Sequence, residues 1–283
     1  MRTFIRSAAK PFQILPFLNN NVDAKYNITD KEIAVCCASH SGEDIHVKTV
    51  ESILKKTRID SSALKCGIHS PLGKEVKNKM KNSGTEPSVL HNNCSGKHSA
   101  MLATAKALGE DLENYLNPDH PVQQRILSII KEMSGEDNVS IGVDGCSAPV
   151  FNLSVKNMAE MYHKIALADD GTKLERIWNI MTSNPLLIGG TDRFDTLMMN
   201  AGKGDILSKL GAEGIQCMAF HTKDGPMSLA VKVHDGNRRA VVPAVLHIMD
   251  KLGITHNIDL DRFKFPILKN HMGIEVGKIV IQA

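Results

Sequence analysis

Aromatic side chains are scarce in this chain, 4% of 283 residues with a single Trp. A core of that composition must be built from Leu, Ile, Val, Met and Ala. Neither sign of charge is in excess. The formal net charge is +3, too weak a footprint for nucleic acid or a membrane surface. No apolar run approaches the ~20 residues of a membrane span. Pro11 and Pro16 interrupt the apolar residues 12–18, so no signal peptide is expected and the chain reads as cytoplasmic. Repeats, low-complexity tracts and Gly/Ser/Pro-rich linkers are missing as well. One domain over residues 1–283 is expected, able to bury a large core. The six cysteines lie scattered, which excludes a disulfide framework and suggests free thiols with one metal or catalytic site. Cys36, Cys37, Cys66 and Cys217 read as small core residues.

What is present is concentrated in a few phrases. His91-Asn92-Asn93-Cys94-Ser95-Gly96-Lys97-His98-Ser99 packs amide, thiol, hydroxyl, amine and imidazole groups ahead of an Ala-rich helical run. A second cysteine phrase, Gly142-Val143-Asp144-Gly145-Cys146-Ser147-Ala148-Pro149, reads as its partner.

Apolar spacing places helices over residues 45–59, 97–108, 122–133, 155–167 and 174–181, with a buried helix over 30–38. Ser41-Gly42-Glu43-Asp44 fits a capping box, and Ser154 a cap for the helix that follows it. After Gly202 the period shortens. Residues 205–210, 215–220 and 228–234 read as strands, antiparallel because their connections are short, and residues 238–252 return to helix. The layout is α+β: an antiparallel sheet flanked by helices (about 1–42 and 202–283) plus a helical lobe (about 43–201), with a cleft expected between them.

A Ser followed three residues later by Lys shares a helix face with it, so a desolvated amine can take the hydroxyl's proton. Four pairs have this spacing: Ser7/Lys10, Ser52/Lys55, Ser62/Lys65 and Ser128/Lys131. The last three belong to amphipathic helices or a charged loop. Ser7/Lys10 encloses two small alanines and precedes an apolar run, so its Lys is the one expected to be desolvated. Ser39-His40-Ser41 and Lys209-Leu210-Gly211 follow in the order of the later Ser-containing and Lys-x-Gly elements of Ser-x-x-Lys hydrolases.

Together these phrases resemble the L-asparaginase II family, the rhizobial-type class 3 asparaginases. The matching stretches are Arg6-Ser-Ala-Ala-Lys-Pro-Phe-Gln13, Ala38-Ser-His-Ser-Gly-Glu43, His91 to His98, Gly142 to Pro149, Gly190-Thr-Asp-Arg-Phe194, Lys209-Leu-Gly-Ala-Glu-Gly214 and Asn270-His-Met-Gly-Ile-Glu-Val-Gly277. The resemblance implies a fold similar to serine β-lactamases and serine-dependent glutaminases, a homodimer, and hydrolysis of L-asparagine to L-aspartate and ammonia. Position by position it implies Ser7 as nucleophile with Lys10, and Ser39 paired with Lys209, with Lys223 and Lys232 nearby as alternatives. It also implies zinc at Cys94, Lys97 and Cys146, and Asp144 close to both metal and substrate. Asn93, Arg6, Gly211 and Glu213 join Asp144 as candidates for substrate binding. Lys97 must lose its proton to bind zinc, and three protein ligands leave a place for water or substrate. Family members usually carry about forty further residues, two or three strands' worth, before the Ser-x-x-Lys phrase. Only six residues precede Ser7 here, so an open sheet edge is expected beside it. Rival readings are a serine glutaminase or other amidohydrolase, a cysteine hydrolase using Cys94 or Cys146 with His91 or His98 as base, and an inactive amino-acid-binding short form.

Overall fold

Twenty-two α-helices and strands succeed one another among the described residues, 1–254 and 261–282, of the computed structural model. The N-terminal strand β1 (Arg2–Phe4) leads through a 3-10 turn (Arg6–Ala9) into four short helices: α1 (Lys10–Gln13), α2 (Leu15–Asn19), α3 (Val22–Tyr26) and α4 (Asp30–Cys36). Pro11 and Pro16 each stand in the first turn of their helix, where a missing N–H costs nothing. Helices α5 (Asp44–Thr57), α6 (Lys74–Ser83), α7 (Ser95–Ala107) and α8 (Pro121–Ser134) follow. Strands β2 (Ser140–Val143) and β3 (Pro149–Ser154) come next, then α9 (Val155–Ala166), α10 (Lys173–Ser183), α11 (Pro185–Ile188) and α12 (Phe194–Gly202). The meander β4 (Ile206–Gly211), β5 (Ile215–Thr222) and β6 (Gly225–Lys232) leads to α13 (Val241–Lys251), α14 (Asp261–Lys264) and the hairpin β7 (Ile267–Lys269) and β8 (Glu275–Lys278).

The architecture is α+β, but the strands among the described residues form three small antiparallel sheets instead of one: β1-β3-β2, β4-β5-β6 and β7-β8. The stretch 43–201, read from sequence as helical, contributes β2 and β3, and residues 10–36 are helical. β1 is an edge strand, paired with β3 alone from Arg2↔Ser154 to Phe4↔Asn152. The α5 cap also differs from the reading of its sequence. Glu43 is the N-cap, its N–H donating to His46 Nδ1 at 3.1 Å, because the Ser41 hydroxyl is spent on the Gly189 carbonyl at 2.9 Å.

The central sheet shows why β5 is apolar on both faces. Alternate residues go to opposite sides of a strand. Cys217 and Ala219 enter the main core, while Met218 and Phe220 enter a second core with Val245, Leu246 and Met249 of α13. α9 packs on β5 and β6, and α12 packs on β4. α7 is buried on all sides from Ser95 to Ala105, which its small residues permit. A Cβ added to Gly96 would lie 2.2 Å from the Val35 carbonyl oxygen, so only glycine lets α7 approach α4 this closely. The C-terminal hairpin leaves Ile267, Met272, Ile274 and Val276 exposed. Among the described residues no helix is long and apolar enough to cross a membrane.

Candidate active site

Ser39 sits just past the end of α4, held where its N–H donates to the Ile188 carbonyl at 3.1 Å. Its side chain is 1% exposed, and two equally buried amines reach its hydroxyl. Lys10, the first residue of α1, approaches to 3.1 Å, and Lys209 of β4 to 2.9 Å. Lys10 also donates to the carbonyls of Ala38 at 2.5 Å and Asn93 at 3.1 Å. Carbonyls can only accept, so these contacts together with Ser39 use all three N–H donors of an ammonium. Lys209 has the Leu210 carbonyl at 3.2 Å besides Ser39. Burial pushes its amine down to about 7; Lys10 and Arg193 add to that shift, and Asp195 and Cys94 oppose it. Ser39 has one proton and two amine neighbours. Lys209 is the amine able to receive that proton.

Ser7 lies in the 3-10 turn, 8% exposed. Among the described residues its hydroxyl has no hydrogen-bond partner. The i, i+3 spacing suggests that Lys10 turns to Ser7, yet Lys10's polar contacts are Ser39, Ala38 and Asn93. A buried amine is drawn to carbonyl acceptors, and those acceptors come from segments remote in sequence.

Beside Ser7, Arg6 holds a left-handed backbone at φ +54°. Its guanidinium donates to Asp144 Oδ1 at 2.8 Å and pairs with Glu213 Oε2 at 3.0 Å. Burial works against the Arg6 charge, but Asp144 and Glu213 outweigh it and raise its pKa. Glu213 (φ +59°) and Ser147 (φ +68°) share this backbone region, which costs a non-glycine residue about 1–2 kcal/mol. Three such residues gathered in one place mark a held geometry. Gly211, at the end of β4, runs so close to this turn that a Cβ on it would come 3.0 Å from the Ile5 carbonyl.

The two cysteine phrases do meet. Cys94 is the N-cap of α7, Lys97 lies in its first turn, and Cys146 follows Asp144 in the β2–β3 connection. Lys97 Nζ donates to Cys146 Sγ at 3.1 Å. The Cys94 thiol hydrogen-bonds Cys146, and Asp144 Oδ2 is 3.8 Å from the Cys146 sulfur. That bond from Cys94, with Lys97 and His98 close by, pushes the Cys146 thiol far down against the effect of burial. Cys94 moves up, from the same bond and from burial. Burial opposes the Lys97 charge, but Cys146, Cys94 and Asp144 raise it. His98 is fully buried; its Nδ1 lies 2.7 Å from the Tyr115 hydroxyl, and its Nε2 has no partner within the described chain. No three His, Cys, Asp or Glu side chains among the described residues cluster as metal ligands. The group that does form, two thiols and an amine beside an orphaned imidazole nitrogen, has the donor chemistry that suits zinc.

Three contributors have no role readable from sequence. His69 receives the Asn93 N–H at its Nε2 (3.3 Å) and so fixes the segment whose carbonyl holds Lys10. Asn92 bridges to the carbonyls of Cys66 and Gly67 and accepts the Cys94 N–H at 2.8 Å. Asp195 lies beneath Lys209, its carboxylate accepting the Leu210 N–H. All six cysteines are unpaired and buried.

A search of the curated proteins finds no match. The family model for L-asparaginase II, by contrast, matches residues 1–281. This chain, with its amines converging on a serine beside paired thiols, belongs to the L-asparaginase II family and is an asparaginase-type amidohydrolase.

Proposed function

We propose that the protein hydrolyses the side-chain amide of L-asparagine to L-aspartate and ammonia through an acyl-enzyme on Ser7. The observation that carries this reading is the convergence of the Lys10 and Lys209 amines on the Ser39 hydroxyl, in the family's own motif positions. Ser7 lies nearer solvent and its hydroxyl has no hydrogen bond among the described residues, so it is the hydroxyl a substrate can reach. Its Oγ bonds to the amide carbon as Lys10 takes the Ser7 proton, gives one of its own to Ser39, and Ser39 passes one to Lys209. The carbonyl electron pair moves to oxygen. A backbone N–H in the stretch 211–214 stabilises that oxyanion, and one such donor lowers a barrier by about 3–4 kcal/mol. The C–N bond then breaks and ammonia leaves with the proton from Lys209. Water cleaves the ester, which releases aspartate and returns a proton to Ser7. Arg6 suits the substrate's carboxylate. Asp144 and Glu213 suit its ammonium, and Asn93 and Gly211 line the same place.

Zinc belongs to this reading, held by Cys94, Cys146 and the neutral amine of Lys97. When bound it supplies a fixed positive charge that orients the amino acid. The free thiols fit the reducing cytoplasm. The exposed apolar residues of the C-terminal hairpin fit a homodimer, which light scattering at micromolar concentration measures.

The test is ammonia release from L-Asn, L-Gln and peptides. Ser7→Ala is expected to lose activity roughly a thousandfold while keeping its circular dichroism, and a trapped acyl adduct is expected on the peptide that contains Ser7. Full activity in Ser7→Ala overturns the assignment. An adduct on Ser39 moves the nucleophile there, the position that both amines touch. Release from Gln but not Asn makes the enzyme a glutaminase.

A further inference from the structure

Lys209 works only if its amine is held against Ser39, and a flexible four-carbon stem does not do that by itself. The holding is visible one layer down. Asp195, in the first turn of α12, is 0% exposed. Its Oδ1 accepts from Ser208 Oγ at 2.8 Å and from Gln216 Nε2 at 2.8 Å, and its Oδ2 accepts from the Leu210 N–H at 3.0 Å. Ser208 and Leu210 are the two chain neighbours of Lys209. Strand alternation puts them on one face and the Lys209 side chain on the other. One carboxylate therefore grips β4 on both sides of the lysine.

The charge itself needs a reason. Among the described residues Asp195 makes no ion pair, and all three of its hydrogen-bond donors are neutral. A merely structural grip is met by a neutral acceptor without the cost of burying an anion. The groups turned toward Lys209 are Lys10, Arg193, Cys94, Cys37 and Cys217, while Arg193, Tyr162 and Cys217 face Asp195. Asp195 is the one carboxylate in this set and opposes the two neighbouring cations.

We propose that Asp195 is a positioning residue that fixes β4 so that Lys209 meets Ser39, and that its negative charge sets the pH at which the Lys209 amine becomes free. The proposal rests on the hydrolase reading for its consequence in turnover, but not for its first measurement. NMR of the lysine amines, with Lys209 assigned through Lys209→Arg, follows the Lys209 titration in folded protein without substrate. Asp195→Asn is expected to move that midpoint to lower pH by about one unit or more, and the acid limb of kcat/KM with it, while kcat falls about tenfold. A midpoint that stays in place overturns the proposal. Ser208→Ala removes one grip and leaves the charge; it lowers kcat about threefold with the pH limb unmoved, and an unchanged kcat overturns the positioning. A wild-type protein that releases no ammonia from Asn or Gln, yet shows the NMR shift in Asp195→Asn, sinks the hydrolase reading and leaves the role of Asp195 standing.

Discussion

The decisive single residue is Lys209, an amine carried into the protein interior. Desolvation is the largest influence on it and brings its titration from 10.5 to about 7; Asp195 and Cys94 pull the other way, and Lys10 and Arg193 reinforce the drop. A base of this kind is free above its pKa, so kcat/KM is expected to rise with pH and level off above about 7. Lys209→Arg, which stays protonated, is expected to lose activity about a hundredfold with no such limb. Stability carries the same signature. The folded pKa is depressed, so between about 7 and 10.5 the unfolded chain holds a proton that the folded chain does not. Stability therefore rises across that window, and urea titrations of the wild type against Lys209→Met measure the difference. A flat difference removes the neutral amine from the mechanism. Sequence pointed to Ser7, Lys10, Ser39 and Lys209 through motif and apolar context. It could not show that Lys10 turns to Ala38 and Asn93, because that choice depends on carbonyls 28 and 83 residues away. Nor could it single out Asp195 or His69, whose roles come entirely from tertiary placement.

At the scale of elements, α7 approaches α4 tightly at a glycine. Ser39 follows α4, and α7 carries Cys94 and Lys97, so this one contact sets the distance between the amine-serine centre and the thiols. Gly96 is the point of contact, where an added Cβ would meet the carbonyl oxygen of Val35 at 2.2 Å and its carbon at 2.7 Å. Backbone cannot step aside as a side chain can. Gly96→Ala is therefore expected to cost about 3 kcal/mol or more, read as a lower urea midpoint at unchanged m-value. Gly84→Ala is the control: its Cβ would meet nothing within 4 Å, and the φ of +65° leaves only backbone strain, about 1 kcal/mol. Equal effects from the two would mean that α7 has room to move. The apolar run of residues 30–38 makes the burial of α4 readable from sequence, as alternation and short turns do for β4, β5 and β6. Strands β2 and β3 are hidden because they flank a turn rich in Asp, Gly and Ser, and they show themselves only through pairing with each other and of β3 with β1.

In the molecule as a whole, the thiol cluster joins the start of α7 to the β2–β3 turn. Cys94 and Lys97 belong to the helical interior, while Cys146 hangs from the β2–β3 turn, whose Asp144 anchors Arg6 next to Ser7. A cation shared by these residues, as proposed, would bind the folded chain in preference to the unfolded one and so stabilise the fold. At a hundred times its dissociation constant the gain is about 2.7 kcal/mol. Zinc is expected to raise the thermal midpoint of the purified protein, chelation to lower it, and Cys146→Ser to abolish the response, with one zinc per chain by elemental analysis of the wild type. In activity, chelation is expected to raise KM for asparagine far more than it lowers kcat, since in the proposed function the ion orients the amino acid and the amines and serines make and break the bonds. A thermal midpoint indifferent to zinc would leave Lys97 and Cys146 as an ammonium–thiolate pair whose work is to brace the Asp144 turn. Arg6 would then have to hold the substrate without a metal beside it.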